Sequence, residues 1–280
     1  MPRCAWVMIV LLAGPGALAA TAGCGRLGFE RPVADSSDAV VDTAPDAGFD
    51  VKAACAVLLH MNETAWIDHS GAGTPPPGAT DLFNECDAAN PGLASGNPGP
   101  IADPIRGMVG DFNDRSCVQL TRETGARATT AVTTSAWLRM TGDPAGSFGV
   151  VSKRVDVSVG AEYNMFVWTD SRVYADIDDL NDRFSGIGAV PTGTWTQITM
   201  VYDGAQAPAE RVRIYLNGML DKVGGETSAT IPQSQSPLSI GCLPIRGIAQ
   251  SFVGQLDDVG VWTRAFSDAD VTAWYEQTRR

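Results

Sequence analysis

The sequence predicts an all-β fold, a two-sheet antiparallel sandwich that carries one short helix near its C-terminal end. Three observations lead there. From residue 53 onward, apolar residues recur with period two in one short segment after another. Thirty glycines and seventeen prolines divide these segments, while only 19 % of residues are charged, a composition that favours short strands over long helices. The one clear helical pattern lies near residue 270.

The elements follow in order. Val57-Leu58-Leu59-His60-Met61 is a short apolar run. Residues 71–110, dense in Pro and Gly, read as a long loop pinned by Cys86. Ser116 to Leu120, Thr130 to Leu138, Phe148 to Lys153 and Tyr163 to Trp168 then read as strands. In the next one, Ile198, Met200 and Tyr202 share one side, and Thr199 and Val201 the other. Between Arg211 and Leu220, Val212, Ile214 and Leu216 alternate with Arg211, Arg213 and Tyr215 and lead into Asn217-Gly218. That dipeptide suits a type I′ hairpin turn, because both central residues need positive φ. The last strand spans Ser251 to Thr263. Its alternation slips at Asp257-Asp258, where a β-bulge is expected. Ser267 as N-cap, Asp270 three residues on, and Val271, Trp274 and Tyr275 at i, i+3, i+4 spacing predict the helix.

The formal charge of −12 argues against nucleic acid as a partner, since phosphate backbones are repelled. Residues 1–23 have the layout of an export signal. Arg3 precedes the apolar stretch Trp6 to Ala13, and small residues lead to Cys24. The apolar run is too short to span a bilayer. An ordinary secretory signal would be cut after Ala20 or Ala22. Thr21-Ala22-Gly23-Cys24 instead resembles the lipobox of bacterial lipoproteins, although Thr21 stands where Leu is more usual. That resemblance implies cleavage before Cys24, acylation of its thiol and amine, and membrane attachment through this N-terminal lipid only. Gly25, rather than Asp, resembles the outer-membrane default of Gram-negative lipoproteins. Residues 24–52 then form the acylated cysteine and a solvated acidic tether, with Asp35, Asp38, Asp42, Asp46 and Asp50 spread among Ala, Ser, Thr and Pro. Such a spacer averages about 30 Å in reach.

Six cysteines are present. Cys4 leaves with the signal and Cys24 takes lipid, so Cys55, Cys86, Cys117 and Cys242 remain as disulfide candidates with three possible connectivities. No C-x-x-C pair suggests zinc.

Four segments, in order, resemble laminin G-like domains of the concanavalin A-like lectin/glucanase superfamily. They are Leu59-His60-Met61-Asn62-Glu63 with Trp66-Ile67-Asp68-His69-Ser70-Gly71; Thr194 to Gly204; Arg213-Ile214-Tyr215-Leu216-Asn217-Gly218; and Phe252 to Val259 followed by Ala265 to Val271. The resemblance implies a jelly-roll sandwich over residues 53–280. It does not fix a ligand, because such folds carry glycan binders, protein binders and hydrolases. It also implies calcium as a candidate cofactor, with Asp68 and Asp257 as ligands and Asp111 and Asp258 as further candidates; these acids otherwise cap turns.

Catalytic machinery is not evident. Sandwich hydrolases of this superfamily use an E-x-D-x-x-E string, and the nearest one here, Glu85-Cys86-Asp87-Ala88-Ala89-Asn90, ends in an amide and falls in the Pro/Gly-rich region. His60 and His69 could ligate a metal but read as surface or strand-end residues. For ligand binding, Trp168, Asp170, Arg172 and Tyr174 surround a turn, where aromatic rings beside polar groups suit a sugar. The competing reading puts Trp168 and Tyr174 in the core or on the convex face. Trp137, Trp195 and Trp262 read as core residues. The expectation is a membrane-anchored, non-catalytic recognition or structural module outside the cytoplasm, on the outer membrane or cell surface of a Gram-negative bacterium. Its partner would be an extracellular glycan or protein. A glycoside hydrolase or polysaccharide lyase is the alternative.

Overall fold

A computed structural model describes residues 48–280 except 72, 121–122, 143–145, 147, 157–160, 179–182 and 246–247. The export signal, Cys24 and the tether up to residue 47 lie outside the described residues. The strands are β1 (Cys55–Leu59), β2 (Gly92–Ser95), β3 (Gly99–Asp103), β4 (Gly107–Phe112), β5 (Cys117–Leu120), β6 (Ala131–Met140), β7 (Phe148–Lys153), β8 (Tyr163–Val167) and β9 (Val173–Ile177). They continue with β10 (Arg183–Phe184), β11 (Thr196–Asp203), β12 (Val212–Leu216), β13 (Met219–Gly224), β14 (Leu238–Ile240), β15 (Cys242–Ile245), β16 (Ile248–Ser251) and β17 (Gly254–Trp262), and helix α1 (Asp268–Thr278) follows.

Two antiparallel sheets face each other. The first runs β13-β12-β11-β6-β17-β4-β3, with β1 also paired to β17; the second runs β10-β9-β8-β7-β14-β5-β2. Period-two alternation supplies the core between them. Ile198, Met200 and Tyr202 of β11, with Leu256, Val259 and Val261 of β17, pack against Met165 and Val167 of β8 and against Val173 and Ala175 of β9. Along β17 the register slips between Asp257 and Gly260, and Asp258 has φ 45°. This is the expected bulge. It turns Leu256, Val259 and Val261 onto one face, which strict alternation would have split.

The outer face of the first sheet holds a second apolar cluster under α1, formed by Leu58, Val201, Tyr215, Trp262, Phe266, Val271 and Trp274. The helix starts as its sequence demands, with Ser267 and Asp270 closing a capping box. Trp262 belongs to this cluster, not to the space between the sheets. Trp137 also points outward, because its neighbours Ala136 and Leu138 face the core; its ring stacks on Tyr275 at 5.6 Å. Trp195 is half-buried beside the guanidinium of Arg139, 5.1 Å from its ring. The expectation of buried positions holds for Trp262 and Trp137, both on the outward face of the first sheet, and is corrected for Trp195, which is only half-buried.

Two further boundaries change. The compact unit begins at Gly48, earlier than the expected residue 53. Phe49 lies 5.2 Å from the Phe266 ring, and Val51 accepts a 2.7 Å hydrogen bond from Trp262 Nε1, so residues 49–51 are packed rather than part of a spacer. Residues 71–110 are not one loop, since they contain β2, β3 and the start of β4. β2 and β3 are edge strands, one in each sheet, joined through Gly96 (φ 78°) and Asn97 (φ 61°). Pro100 sits in β3, where an edge strand tolerates a missing N–H. The disulfides are Cys55–Cys86 and Cys117–Cys242. The first holds loop 81–91 against β1, as expected for Cys86. Asn84 reinforces it by accepting from the Leu58 amide and donating to the Ala56 carbonyl.

Candidate functional site

The residues expected to bind a ligand do come together, on the outward face of the second sheet. Since Met165, Val167, Val173 and Ala175 face the core, Phe166 and Tyr174 point away from it. Strand register sets Phe166 opposite Tyr174, and Tyr174 opposite Phe184 of β10. Trp168 lies two residues beyond Phe166. The rings form a continuous row, with centroids 5.0 Å apart for Phe166–Tyr174, 5.4 Å for Tyr174–Phe184 and 5.7 Å for Trp168–Tyr174. Phe166 is covered, whereas Trp168 and Phe184 at the ends are each 39 % exposed. Neither core cluster includes Trp168 or Tyr174, so the core half of the competing reading is corrected, while their outward position fits a convex-face role as well as a binding one.

The turn between β8 and β9 shapes the polar side of the row. Trp168 N donates to Arg172 O, and Ser171 takes φ 58° to close the turn. Arg172 Nε lies 2.9 Å from Asp170 Oδ2, and its guanidinium sits 4.6 Å from the centre of the Phe184 ring. The loop after β10 is tied to this turn by Gly188 N donating to Asp170 O and Val190 N donating to Ser171 O. The neighbouring row on the same face is polar. Ser239, Ser152, Asn164 and Asp176 stand side by side in register and are fully buried. Ser152 Oγ donates to Asn164 Oδ1 at 2.8 Å, and Asn164 Nδ2 donates to Asp176 at 3.3 Å. The only carboxylate in that row is thereby hydrogen-bonded within it.

The acids expected to bind calcium are differently employed. β17 pairs with β4 through Gly254–Leu256 and with β1 from Val259 on, and the bulge at Asp257-Asp258 fills the junction. Arg106, just before β4, enters that junction. Its Nε donates to Asp257 at 2.7 Å and its Nη2 to Asp258 at 2.6 Å, while Trp137 lies 4.4 Å beneath the guanidinium. His60, just after β1, meets Asp258 through Nδ1 at 2.5 Å and Glu85 through Nε2 at 2.6 Å, and Lys52 pairs with Glu85. Burial and the neighbouring Asp258 push the Asp257 carboxyl up to about 7, and the Asp258 contact raises the His60 pKa.

Asp257 and Asp258 thus already face a cation, and the calcium assignment does not fit them. Asp68 is tied to the other sheet through its bridge to Ala94, and it accepts from Ser70 N and Ser70 Oγ, a turn-capping role. Those bonds lower its pKa. Asp111 accepts from Gln255 Nε2 at 2.6 Å. Among the described residues no group of three or more His, Cys, Asp or Glu is disposed to hold an ion. His69 pairs with Asp81 at 2.7 Å.

Sequence reasoning missed Phe184, which sits in a two-residue strand, and Arg106, an isolated arginine before β4. Only cross-strand register joins Phe184 to the row. The slip at Asp257-Asp258 marked the place where Arg106 binds, but carried nothing about which cation would come.

Comparisons with known proteins agree with this architecture. Residues 113–272, more than half of the chain, match a laminin G family model described as the concanavalin A-like lectin/glucanases superfamily. No curated protein matches the sequence. Among solved structures, domain 4 of AbnA, a GH43 extracellular arabinanase from Geobacillus stearothermophilus in complex with arabinotriose, superposes with a TM-score of 0.53 at 14 % identity, covering 79 % of this chain and 97 % of that one. The binding domain of botulinum neurotoxin DC in complex with rat synaptotagmin II gives 0.54 at 12 % identity, covering 82 % and 53 %. The same binding domain in complex with SialylT gives 0.53 at 12 %, with the same coverage. This chain spans about half the length of those toxin domains, and at such identities the likeness is one of fold. The chain belongs to the concanavalin A-like lectin/glucanase superfamily.

Proposed function

We propose that this domain is a non-catalytic recognition module, held outside the cytoplasm by acyl chains on Cys24, which binds a glycan through the ring row of the second sheet. The observation that carries the reading is the row itself. Phe166, Tyr174, Phe184 and Trp168 lie outside the core, end in two half-exposed rings, and are flanked by the Arg172–Asp170 pair. Apolar ring surface beside directional polar groups is what sugar recognition needs. Two disulfides favour an oxidising compartment. The non-catalytic reading draws support from the occupied carboxylates: Asp176 is bonded by Asn164, and Glu85 is held by Lys52 and His60. Structural neighbours that include a sugar-bound domain and receptor-binding domains lend weight to a binding role.

A glycan array probed with the full chain and with Trp168→Ala tests the reading. Binding to a defined glycan class, lost in the variant, supports it; array signals unchanged by the substitution overturn the assignment to this face. Hydrolysis of a polysaccharide that disappears in Glu85→Gln would replace the module with an enzyme. Palmitate labelling and membrane fractionation of Cys24→Ser test the anchor, and unchanged behaviour refutes it.

A further inference from the structure

A cavity of about 410 Å³ opens beside the ring row, between the edge strand of one sheet, β10, and the edge strand of the other, β13. Arg172, Phe184, Gly186, Ile187, Asp221 and Lys222 help to line it. Its volume suits one or two sugar units. Its lining brings two cations, Arg172 and Lys222, to one mouth; Asp221 shares the lining and Asp170 pairs with Arg172 from beside it.

Each cation is placed for a reason. The β12–β13 register slips between Ile214 and Tyr215, so Ile214 stands opposite Lys222 while Tyr215 stands opposite Leu220. Asp221 is the extra residue of this bulge and accepts a hydrogen bond from Gly186 N at 3.3 Å, which ties its carboxylate to the loop after β10. The bulge puts Lys222 on the core-side face of β13 at the open edge, where its ammonium pairs with no described residue. Arg172 lines the cavity with its guanidinium held by Asp170 at Nε and over the Phe184 ring, which leaves Asp170 engaged at Nε only. Phe184 and Ile187, 39 % and 73 % exposed, add apolar wall.

We propose that this cavity, formed by Arg172 and Lys222 around Phe184 and Ile187, binds the carboxylate of an acidic sugar. The inference rests on the glycan-binding reading above and names its ligand class. A carboxylate can accept from both cations while the C–H face of the same sugar lies on Phe184 and Ile187. A neutral sugar that covered the site would strip water from Lys222 and return no charge, which costs affinity. The formal charge of −12 repels polyanions at long range, so the attraction acts at contact and is weakened by salt. Two sources carry this chemistry, a uronate within a polysaccharide and a terminal sialate.

The test is calorimetric titration of the full-length chain with two matched pairs: oligogalacturonate against its methyl ester, and sialyllactose against lactose. One acid should bind at least about tenfold more tightly than its neutral counterpart in low salt, and the gap should shrink near 0.5 M salt. Lys222→Gln, an exposed substitution, should close the gap with the melting midpoint unchanged. The pair that responds identifies the source. Equal binding within both pairs overturns the inference, as does a preference for acid that survives both Lys222→Gln and Arg172→Gln. Equal binding that Trp168→Ala abolishes would leave the glycan reading standing without the acid. If neither acid binds, the acidic-sugar inference falls alone, and the array decides the glycan reading.

Discussion

Arg106 and Asp258 are 152 residues apart in sequence and 2.6 Å apart in space, buried together where β1 and β4 meet on β17. The same guanidinium binds Asp257 directly, while Arg280 stands 3.7 Å from each acid and His60 meets Asp258, so Arg106 is the cation hydrogen-bonded to both acids of the bulge. Removing it leaves both carboxylates buried beside each other. Arg106→Ala should lower stability by about 3–5 kcal/mol, the range for breaking a buried ion pair from one side. Equilibrium denaturant unfolding measures this, and a loss under about 1 kcal/mol would show that the cluster is solvated.

The same cluster sets the direction of pH dependence. His60 has a folded pKa above its ordinary 6.5, chiefly because Asp258 accepts from its ring, so the folded chain holds a proton that the unfolded chain has released. Its stabilising contribution is fully present below about pH 6.5 and is lost as pH rises through the folded value. Asp257, raised from 3.8 to about 7 by burial, works in the same sense between those two values. Glu85 works in the opposite sense. Lys52 lowers its pKa below 4.5, so its contribution is present above that value and is lost as pH falls through the lowered one. The melting midpoint should therefore decline from pH 6 to pH 8, and His60→Gln should flatten that decline. Superimposable profiles for the two chains would show that His60 plays no part in it.

Much of this was legible in advance, and the remainder had no local signal. Asn217-Gly218 set the hairpin because φ values of 49° and 77° are costly for most other residues. Ser267 and Asp270 set the start of the helix, and broken alternation at Asp257-Asp258 marked the bulge. By contrast, β2 and β3 have four and five residues, with Gly or Pro within them, and are strands because neighbours pair with them. The ring row was half visible. Trp168 and Tyr174 flank a turn, but Phe184 joins them only through the pairing of β10 with β9.

Divalent cations should leave the fold unmoved. Asp257 and Asp258 are balanced by Arg106, and Asp68 spends its oxygens on Ser70. Thermal melts in excess calcium and in excess chelator should coincide. A midpoint that rises with calcium, by the mass-action relation for a ligand of the folded state, would restore an ion site.

Within the ring row, position decides effect. Trp168 stands at a turn with 39 % of its surface exposed, so Trp168→Ala should weaken glycan binding about tenfold or more while costing less stability than Phe166→Ala. Phe166 is covered and stacked on Tyr174, so Phe166→Ala should lower the unfolding midpoint clearly. Titration with the glycan found on the array, paired with unfolding curves, separates the two. Equal effects of both substitutions on stability would contradict this division.

The disulfides impose a constraint on the order of events during maturation. Cys55–Cys86 closes a separation of 31 residues and Cys117–Cys242 one of 125. The unwanted pair Cys86 and Cys117 is also 31 positions apart. Chain entropy alone gives the correct short link no advantage over its competitor. The native contacts that favour Cys55 are those that dock the Cys86 loop on β1: Asn84 to Leu58 and Ala56, and Glu85 N donating to Leu58 O. A nascent chain oxidised before that docking would scramble, and it would need thiol exchange to recover.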